Sequence, residues 1–272
     1  DSLYEGTNTR QKLQTYSSHF PVVEVDSSFY AVQPERNYQK WVEETPEVFK
    51  FIVKAYQGIT GHNRGEIPFT SKEEMFQAFT ASIQPLIKAD RLAMVLCQFP
   101  PWFDCRKENV QYLRYVKEQF SSSSLPLALE FRNQSWFQAG FKDKTIEFMA
   151  EENWIHSICD EPQAGTGSIP IVLEPTSDKK TLVRFHGRNT YGWNDPGNGS
   201  WRDVRYLYNY NDQELLEWVE RIRYLEDKTE ELYILFNNNS GGDAANNAKR
   251  LQDFLQIHYE GLTPRQLSLF DE

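Results

Sequence analysis

The chain has 272 residues, 39% of them apolar and 14% aromatic, which is long for one ordinary domain, normal for a barrel and far from a disordered composition. Lys and Arg number 29 against 39 Asp and Glu, a net charge of −10. That excludes non-specific coating of nucleic acid, which phosphate neutralisation drives, and no apolar run approaches the roughly 20 residues that span a bilayer.

The three cysteines, Cys97, Cys105 and Cys159, form no Cys-x-x-Cys pair and suit no zinc spacing. Two of them lie inside apolar runs and read as small core residues, which fits a reducing, cytoplasmic setting. Along the chain, short runs rich in Val, Ile, Leu and Phe predict strands at 22–26, 49–55, 93–99, 127–132, 154–160, 181–187 and 232–237. Parallel strands covered on both faces have this composition. Between them, amphipathic stretches predict helices. One covers 35–44, after Pro34 and before Pro46. Another covers 72–89, opened by the capping-box pattern Ser71-Lys-Glu-Glu74. A third covers 106–120, with Asp104 as N-cap. Helices at 214–225 and 243–259 and a weaker one at 143–152 complete the series.

Strand–helix alternation at this spacing predicts right-handed βαβ units and a parallel sheet. The fold expected is α/β, a TIM-type (β/α) barrel over residues 1–260, with a tail at 261–272. An open doubly wound sheet is the alternative, but no Gly-x-Gly-x-x-Gly follows an early strand. A closed barrel takes eight strands where seven are visible, so the first is expected upstream of Asp1. Long loops at 161–180 and 187–210 follow strands at the end where barrels work.

Polar residues cluster at the C-terminal strand ends. Glu24, Lys54, Gln98, Glu130, Arg132, Asp160, Arg184, His186, Arg188 and Asn237 fall there, with apolar neighbours at alternating positions. A layer of salt bridges in the barrel mouth would leave the same trace. Counted as one ring, Lys54, Arg132, Arg184 and Arg188 exceed Glu24, Glu130 and Asp160 by one positive charge. An anionic, phosphate-bearing substrate is therefore expected. Asn237 and Asn238 lead through Gly241-Gly242 into a helix start, where barrels hold phosphate. Glu24, Glu130 and Asp160 are the acid–base candidates, with His186 as proton carrier. Two carboxylates across a pocket would also serve a glycosidase. His62, His186 and the three carboxylates offer metal ligands, but Lys and Arg in the same ring oppose a cation. No metal or other cofactor is expected.

The motifs themselves are distinctive. Val23-Glu-Val-Asp-Ser-Ser-Phe-Tyr30, Trp41 with Thr45-Pro46, Phe51-Ile-Val-Lys-Ala55, Cys97-Gln-Phe-Pro-Pro101, Leu129-Glu-Phe-Arg-Asn-Gln-Ser-Trp136, Val183-Arg-Phe-His-Gly187 and Phe236-Asn-Asn238 run in order over nearly the whole chain. Together they resemble the YecE-like family, domain of unknown function 72. The resemblance implies a TIM-type barrel and names no reaction. It places the family's polar residues on Glu24, Lys54, His62, Gln98, Glu130, Arg132, Ser135, Asp160, Arg184, His186 and Asn237. It also implies an opening strand with a Gly- and Trp-containing turn, which this sequence lacks.

The tail carries Gln266, Leu267, Ser268, Leu269 and Phe270. This run resembles the peptide by which bacterial polymerases and repair proteins dock on the DNA sliding clamp. Leu267, Leu269 and Phe270 would fill apolar pockets and Gln266 would supply a directed hydrogen bond. Packing of the tail on the barrel is the alternative. Three functions stay open: a nucleic-acid maintenance enzyme with Trp193, Trp201, Tyr206 and Tyr208 stacking bases, an enzyme on an anionic metabolite, and a non-catalytic ligand-binding barrel.

Overall fold

The computed structural model describes residues 2–4, 11–62, 66–194 and 204–264. Seven parallel strands form one sheet in sequence order: β1 (Val22–Val25), β2 (Lys50–Lys54), β3 (Leu92–Gln98), β4 (Leu127–Glu130), β5 (Ile155–Asp160), β6 (Lys180–Phe185) and β7 (Glu231–Phe236). Every strand lies where the apolar runs place one. The sheet curls into a nearly closed barrel. Its helices of five or more residues are, among the described residues, α1 (Lys12–Ser17), α2 (Glu35–Glu43), α3 (Lys72–Ser82), α4 (Gln84–Lys88), α5 (Lys107–Phe120), α6 (Lys142–Glu151), α7 (Asp212–Glu226) and α8 (Ala244–Leu255). None of the described helices is long and apolar enough to cross a membrane.

Two helix starts, one helix body and one helix end depart from expectation for local reasons; the helix expected at 243–259 stops at Leu255, where Gln256 turns into the left-handed region. The stretch expected as one helix at 72–89 breaks at Ile83. Pro85 has no N–H to donate there and its ring crowds the preceding turn. Its start holds: the Ser71 hydroxyl accepts from the Glu74 N–H at 3.1 Å. Asp104 does not cap α5. Its carboxylate instead accepts both guanidinium arms of Arg106 at 2.5 Å each. Helix α7 begins two residues earlier than expected, on a capping box of Asn211 and Glu214.

Side chains alternate across each strand. Ile52, Met94, Leu96, Ala128, Ile155, Leu182 and Leu235 fill the inside of the barrel. Outward residues such as Phe51, Val53, Val95, Leu129, Val183 and Phe185 pack under the helices. This assigns the inward face unambiguously, position by position.

The barrel has one seam. Among the described residues no ladder joins β1 to β7, the two ends of the strand order. A cavity of about 620 Å³ runs between them, lined by Val22, Val23, Glu24, Leu235 and Asn237 and by residues of α8. It lies where an eight-stranded barrel carries its eighth strand. Its volume belongs to the architecture.

Leu96 is fully buried in the barrel interior while Leu216 on α7 is 49% exposed. Leu96→Ala is expected to lose about 2–5 kcal/mol of folding free energy. Leu216→Ala is expected to stay within about 0.5 kcal/mol of wild type. Chemical denaturation of the two variants checks this.

Candidate active site

The inward face ends, at the mouth, in a layer of charge. Arg184 of β6 is the middle of it and is fully buried. Its guanidinium donates to Glu24 of β1, Nη2 to Oε1 at 2.7 Å and Nε to Oε2 at 3.0 Å. Its Nη1 donates to Glu130 of β4 at 2.7 Å. Glu130 also accepts from Gln98 of β3 at 2.5 Å and Ser157 of β5 at 3.1 Å. Arg132, just past β4, donates to Glu161 at 2.7 Å and lies 3.4 Å from Glu130. The His186 Nε2 stands 3.4 Å from Glu130, and its Nδ1 stands 3.2 Å from the Asn237 amide. Six of the seven strands or their immediate ends thus meet in one network. Lys54 of β2 stands beside it, bound to Asp26 at 2.9 Å with its ammonium over the Phe29 ring.

Two expected members of the ring are elsewhere. Asp160 points outward, because Ser157 and Cys159 take the inward positions of β5. Its carboxylate accepts from Arg188, from the Tyr210 hydroxyl at 3.2 Å and from the Trp218 indole of α7. Arg188 follows it outward. Gly187 has φ of +85°, a backbone turn that other residues resist, and the chain leaves the barrel there. Arg188 then binds Asp160 at 2.7 Å and Glu214 at 3.4 Å. This pair clamps the β6 loop onto α7. Asn238 is likewise a scaffold residue, donating to Tyr208 and Asn247, and Ser135 accepts from the Cys105 N–H. His62 sits on the rim, 5.0 Å from Phe29 and 5.9 Å from Trp102.

Glu161 is the residue that the sequence reading missed. It opens a long loop, and it shares the parity of Ser157 and Cys159, which would have pointed it inward. With Glu161 in and Asp160 and Arg188 out, Lys54, Arg132 and Arg184 face Glu24, Glu130 and Glu161. Asp26 binds Lys54, and Arg205 stands over the same layer, so four cations meet four acidic groups among the described residues, and Arg132 and Arg184 are both bound to carboxylates.

The β6 loop closes over this layer. Trp193 lies 4.9 Å from the Arg132 guanidinium and 4.3 Å from that of Arg205. Its indole donates to the Gly167 carbonyl at 3.3 Å. Trp193 is buried, and the Tyr206 and Tyr208 hydroxyls lie within reach of Arg132 and Glu214. These rings cover the site and are not free platforms for bases. Trp201 and the clamp-like residues Gln266, Leu267, Leu269 and Phe270 lie outside the described residues. The chain reaches the tail at the end opposite the mouth, where Thr263 bonds Ser17 at 2.7 Å.

The network sorts its titrating groups. Burial raises the Glu130 carboxyl, but Arg184, His186 and Arg132 overturn that and hold it well below the usual carboxylate range. Burial pushes Glu161 up to about 7, against Arg132. Burial also raises Glu24, with Arg184 opposing and Asp26 assisting. His186 is pushed down to about 3 by burial and by Arg132, so its imidazole is neutral at neutral pH. It cannot carry a proton as imidazolium there.

Glu130, Cys159 and His186 bring ligand atoms within 4.8 Å of one another. They do not suit a metal ion. Guanidinium groups already occupy the Glu130 oxygens, and burial raises the Cys159 thiol well above its ordinary value, whereas a coordinating thiol must be ionised.

The comparisons with known proteins agree with this architecture. The profile of the family described as "Protein of unknown function DUF72" matches residues 1–268. The chain belongs to that family. It is 60% identical over 272 residues to UPF0759 protein YunF of Bacillus subtilis (strain 168), covering 99% of this chain and 96% of that one. A DUF72 family protein of Enterococcus faecalis V583 superposes with a TM-score of 0.91 at 39% identity, covering 98% of this chain and 96% of the other. A DUF72 family protein of Thermotoga maritima MSB8 gives 0.78 at 32% identity, covering 93% and 92%.

Removing Arg184 strands two carboxylates. Arg184→Met is expected to cost about 3–5 kcal/mol, as breaking a buried pair does. The pH dependence has two opposing parts. His186 has a folded pKa below its unfolded value, so its contribution is present above about 6.5 and is lost as pH falls toward about 3. Glu161 has a folded pKa above its unfolded value, so its contribution is present below about 4.5 and is lost as pH rises through about 7. Urea denaturation from pH 4 to 8 should show the stability gap between wild type and His186→Gln narrowing as pH falls. The gap between wild type and Glu161→Gln should narrow as pH rises.

Proposed function

We propose that this DUF72 barrel is an enzyme of the general acid–base kind, working at the C-terminal mouth, with Glu24 as the group that exchanges a proton with substrate. One observation carries the reading. Within the single network of Glu24, Glu130 and Glu161, the Glu130 and Glu161 side chains have 0% exposure while Glu24 keeps 13%. The carboxyl that meets solvent is also one whose pKa burial raises. A carboxyl raised above its ordinary range at a mouth is suited to exchanging a proton with a bound substrate.

The rest of the layer supports that group. Arg184 grips both Glu24 oxygens and fixes their direction. Glu130 stays ionised beneath and keeps Arg184 in place. Lys54, Gln98 and Asn237 keep partial exposure beside Glu24 and offer a positive charge and two amides to a bound substrate. Trp193 and Tyr206 keep water from the buried side, where electrostatic effects are largest.

The phosphate-bearing substrate expected from the sequence loses most of its support. Arg132 and Arg184 spend their donors on carboxylates, and Arg188 is outside the barrel. Of the cations counted from the sequence, Lys54 remains as a contact for an anion, and its ammonium already binds Asp26.

A panel of nitrophenyl esters, phosphates and glycosides tests the proposal. Whichever substrate wild type turns over, Glu24→Gln should lower kcat by about a hundredfold or more, read at a temperature where circular dichroism shows the variant still folded. Turnover that survives Glu24→Gln unchanged contradicts the assignment.

A further inference from the structure

The mouth has an aromatic edge that the acid–base reading leaves unused. Tyr30 follows β1, His62 follows β2 and Trp102 follows β3. Through Phe29 they make one continuous row: Tyr30 to Phe29 is 5.2 Å, Phe29 to His62 is 5.0 Å and His62 to Trp102 is 5.9 Å between ring centroids. Tyr30 is 66% exposed and Trp102 57%. The row abuts the charged layer directly, since the Lys54 ammonium lies 4.9 Å over the Phe29 ring.

The row is held rigid. The Ser28 hydroxyl donates to the Val25 and Lys54 carbonyls at 2.7 Å each, and the Gln57 N–H donates to the Phe29 carbonyl at 2.9 Å. Trp102 rides on a turn behind Pro100 and Pro101, where the Asn133 amide donates to the Pro101 carbonyl at 2.5 Å. Large exposed rings on fixed loops at a site entrance offer contact area with little ordering cost.

Charge decides what the row accepts. Among the described residues, the Lys54 ammonium that abuts the row is bound to Asp26, and Arg106, just past Trp102, is bound to Asp104. A nucleic-acid strand needs phosphate neutralisation along its path, and these pairs offer it no surplus, in a chain of net charge −10. A neutral sugar needs none. Its C–H faces pack on aromatic rings, and its hydroxyls need the kind of donors and acceptors that Asp26, Gln57 and Gln98 supply.

We propose that the Tyr30–Trp102 row is a subsite for a neutral oligosaccharide, so that the substrate class of this mouth is a glycan. The inference rests on the reading of the mouth as a working site beside Glu24. Sugar rings lie along Trp102 and Tyr30, and the chain leads past Lys54 toward Glu24.

The test is binding followed by tryptophan emission and calorimetry, with cellohexaose, xylohexaose, maltohexaose and chitohexaose as neutral probes and a twelve-residue oligo(dT) as the polyanion. At least one glycan should bind, and Trp102→Ala and Tyr30→Ala should each weaken it about tenfold or more while both variants melt near wild type. The oligo(dT) should not bind at physiological salt. No glycan binding at millimolar concentration, glycan binding indifferent to Trp102→Ala, or oligo(dT) binding that Trp102→Ala removes, each overturns the inference. Failure here and failure of the acid–base reading separate cleanly. Glu24-dependent turnover of a non-sugar with no glycan binding sinks only the subsite. Trp102-dependent glycan binding with turnover unchanged in Glu24→Gln sinks only the role of Glu24.

Discussion

The Arg184 guanidinium is the constraint on which the mouth is built. A charge with no exposed surface costs several kcal/mol unless it is paired and its hydrogen bonds are met. Here one cation from β6 is met by Glu24 from β1 and Glu130 from β4. Those carboxylates bring their own requirements. Glu130 has oxygens left over, and Gln98, Ser157, Arg132 and His186 meet them. Arg132 then needs Glu161, which draws the start of the loop after β5 inward. The layer is an all-or-none object, and strand ends that are distant in sequence are fixed by it to a single arrangement.

That arrangement gives the mouth its chemistry. Saturated groups such as Glu130 and His186 cannot readily exchange partners with a ligand, so they serve as fixed scaffold with a fixed field. Reactivity moves to the periphery of the network, where Glu24, Lys54, Gln98 and Asn237 keep some exposure. The same field spreads the carboxyl pKa values apart, a pattern that marks acid and base roles where two such groups share a site. The aromatic row from Tyr30 to Trp102 lies on the open side of this periphery, while Trp193 and Tyr206 seal the opposite side.

The strands were easy to read because each is an apolar run buried on both faces. That same property hid the parity of β5. All six residues from Ile155 to Asp160 are buried, so no contrast of polarity marks which side faces the axis, and the sequence does not separate Asp160 from Cys159, the residue that faces inward. Spacing alone places Arg188 in the ring because it does not show that Gly187 turns the chain out of the sheet. In β1, β2, β4 and β6 the inward set does alternate with apolar neighbours, and Glu24, Lys54, Glu130, Arg132, Arg184 and His186 were found at once. Which of them meet solvent depends on packing of the β6 loop, and no sequence pattern carries that. The family relationship adds the barrel and leaves the chemistry to these residues.

One buried network holds its three carboxyls at different proton affinities, with the solvent-facing one raised. Carbon-13 NMR of labelled glutamate carboxyls, titrated from pH 3 to 8 and assigned through Glu24→Gln, Glu130→Gln and Glu161→Gln, measures this directly. Glu130 should remain ionised well below 4.5, Glu161 should titrate near 7, and Glu24 should titrate above 4.5. Three carboxyls titrating together near 4.5, or Glu24 ionised throughout with Glu130, would make the layer a structural plug and contradict the account.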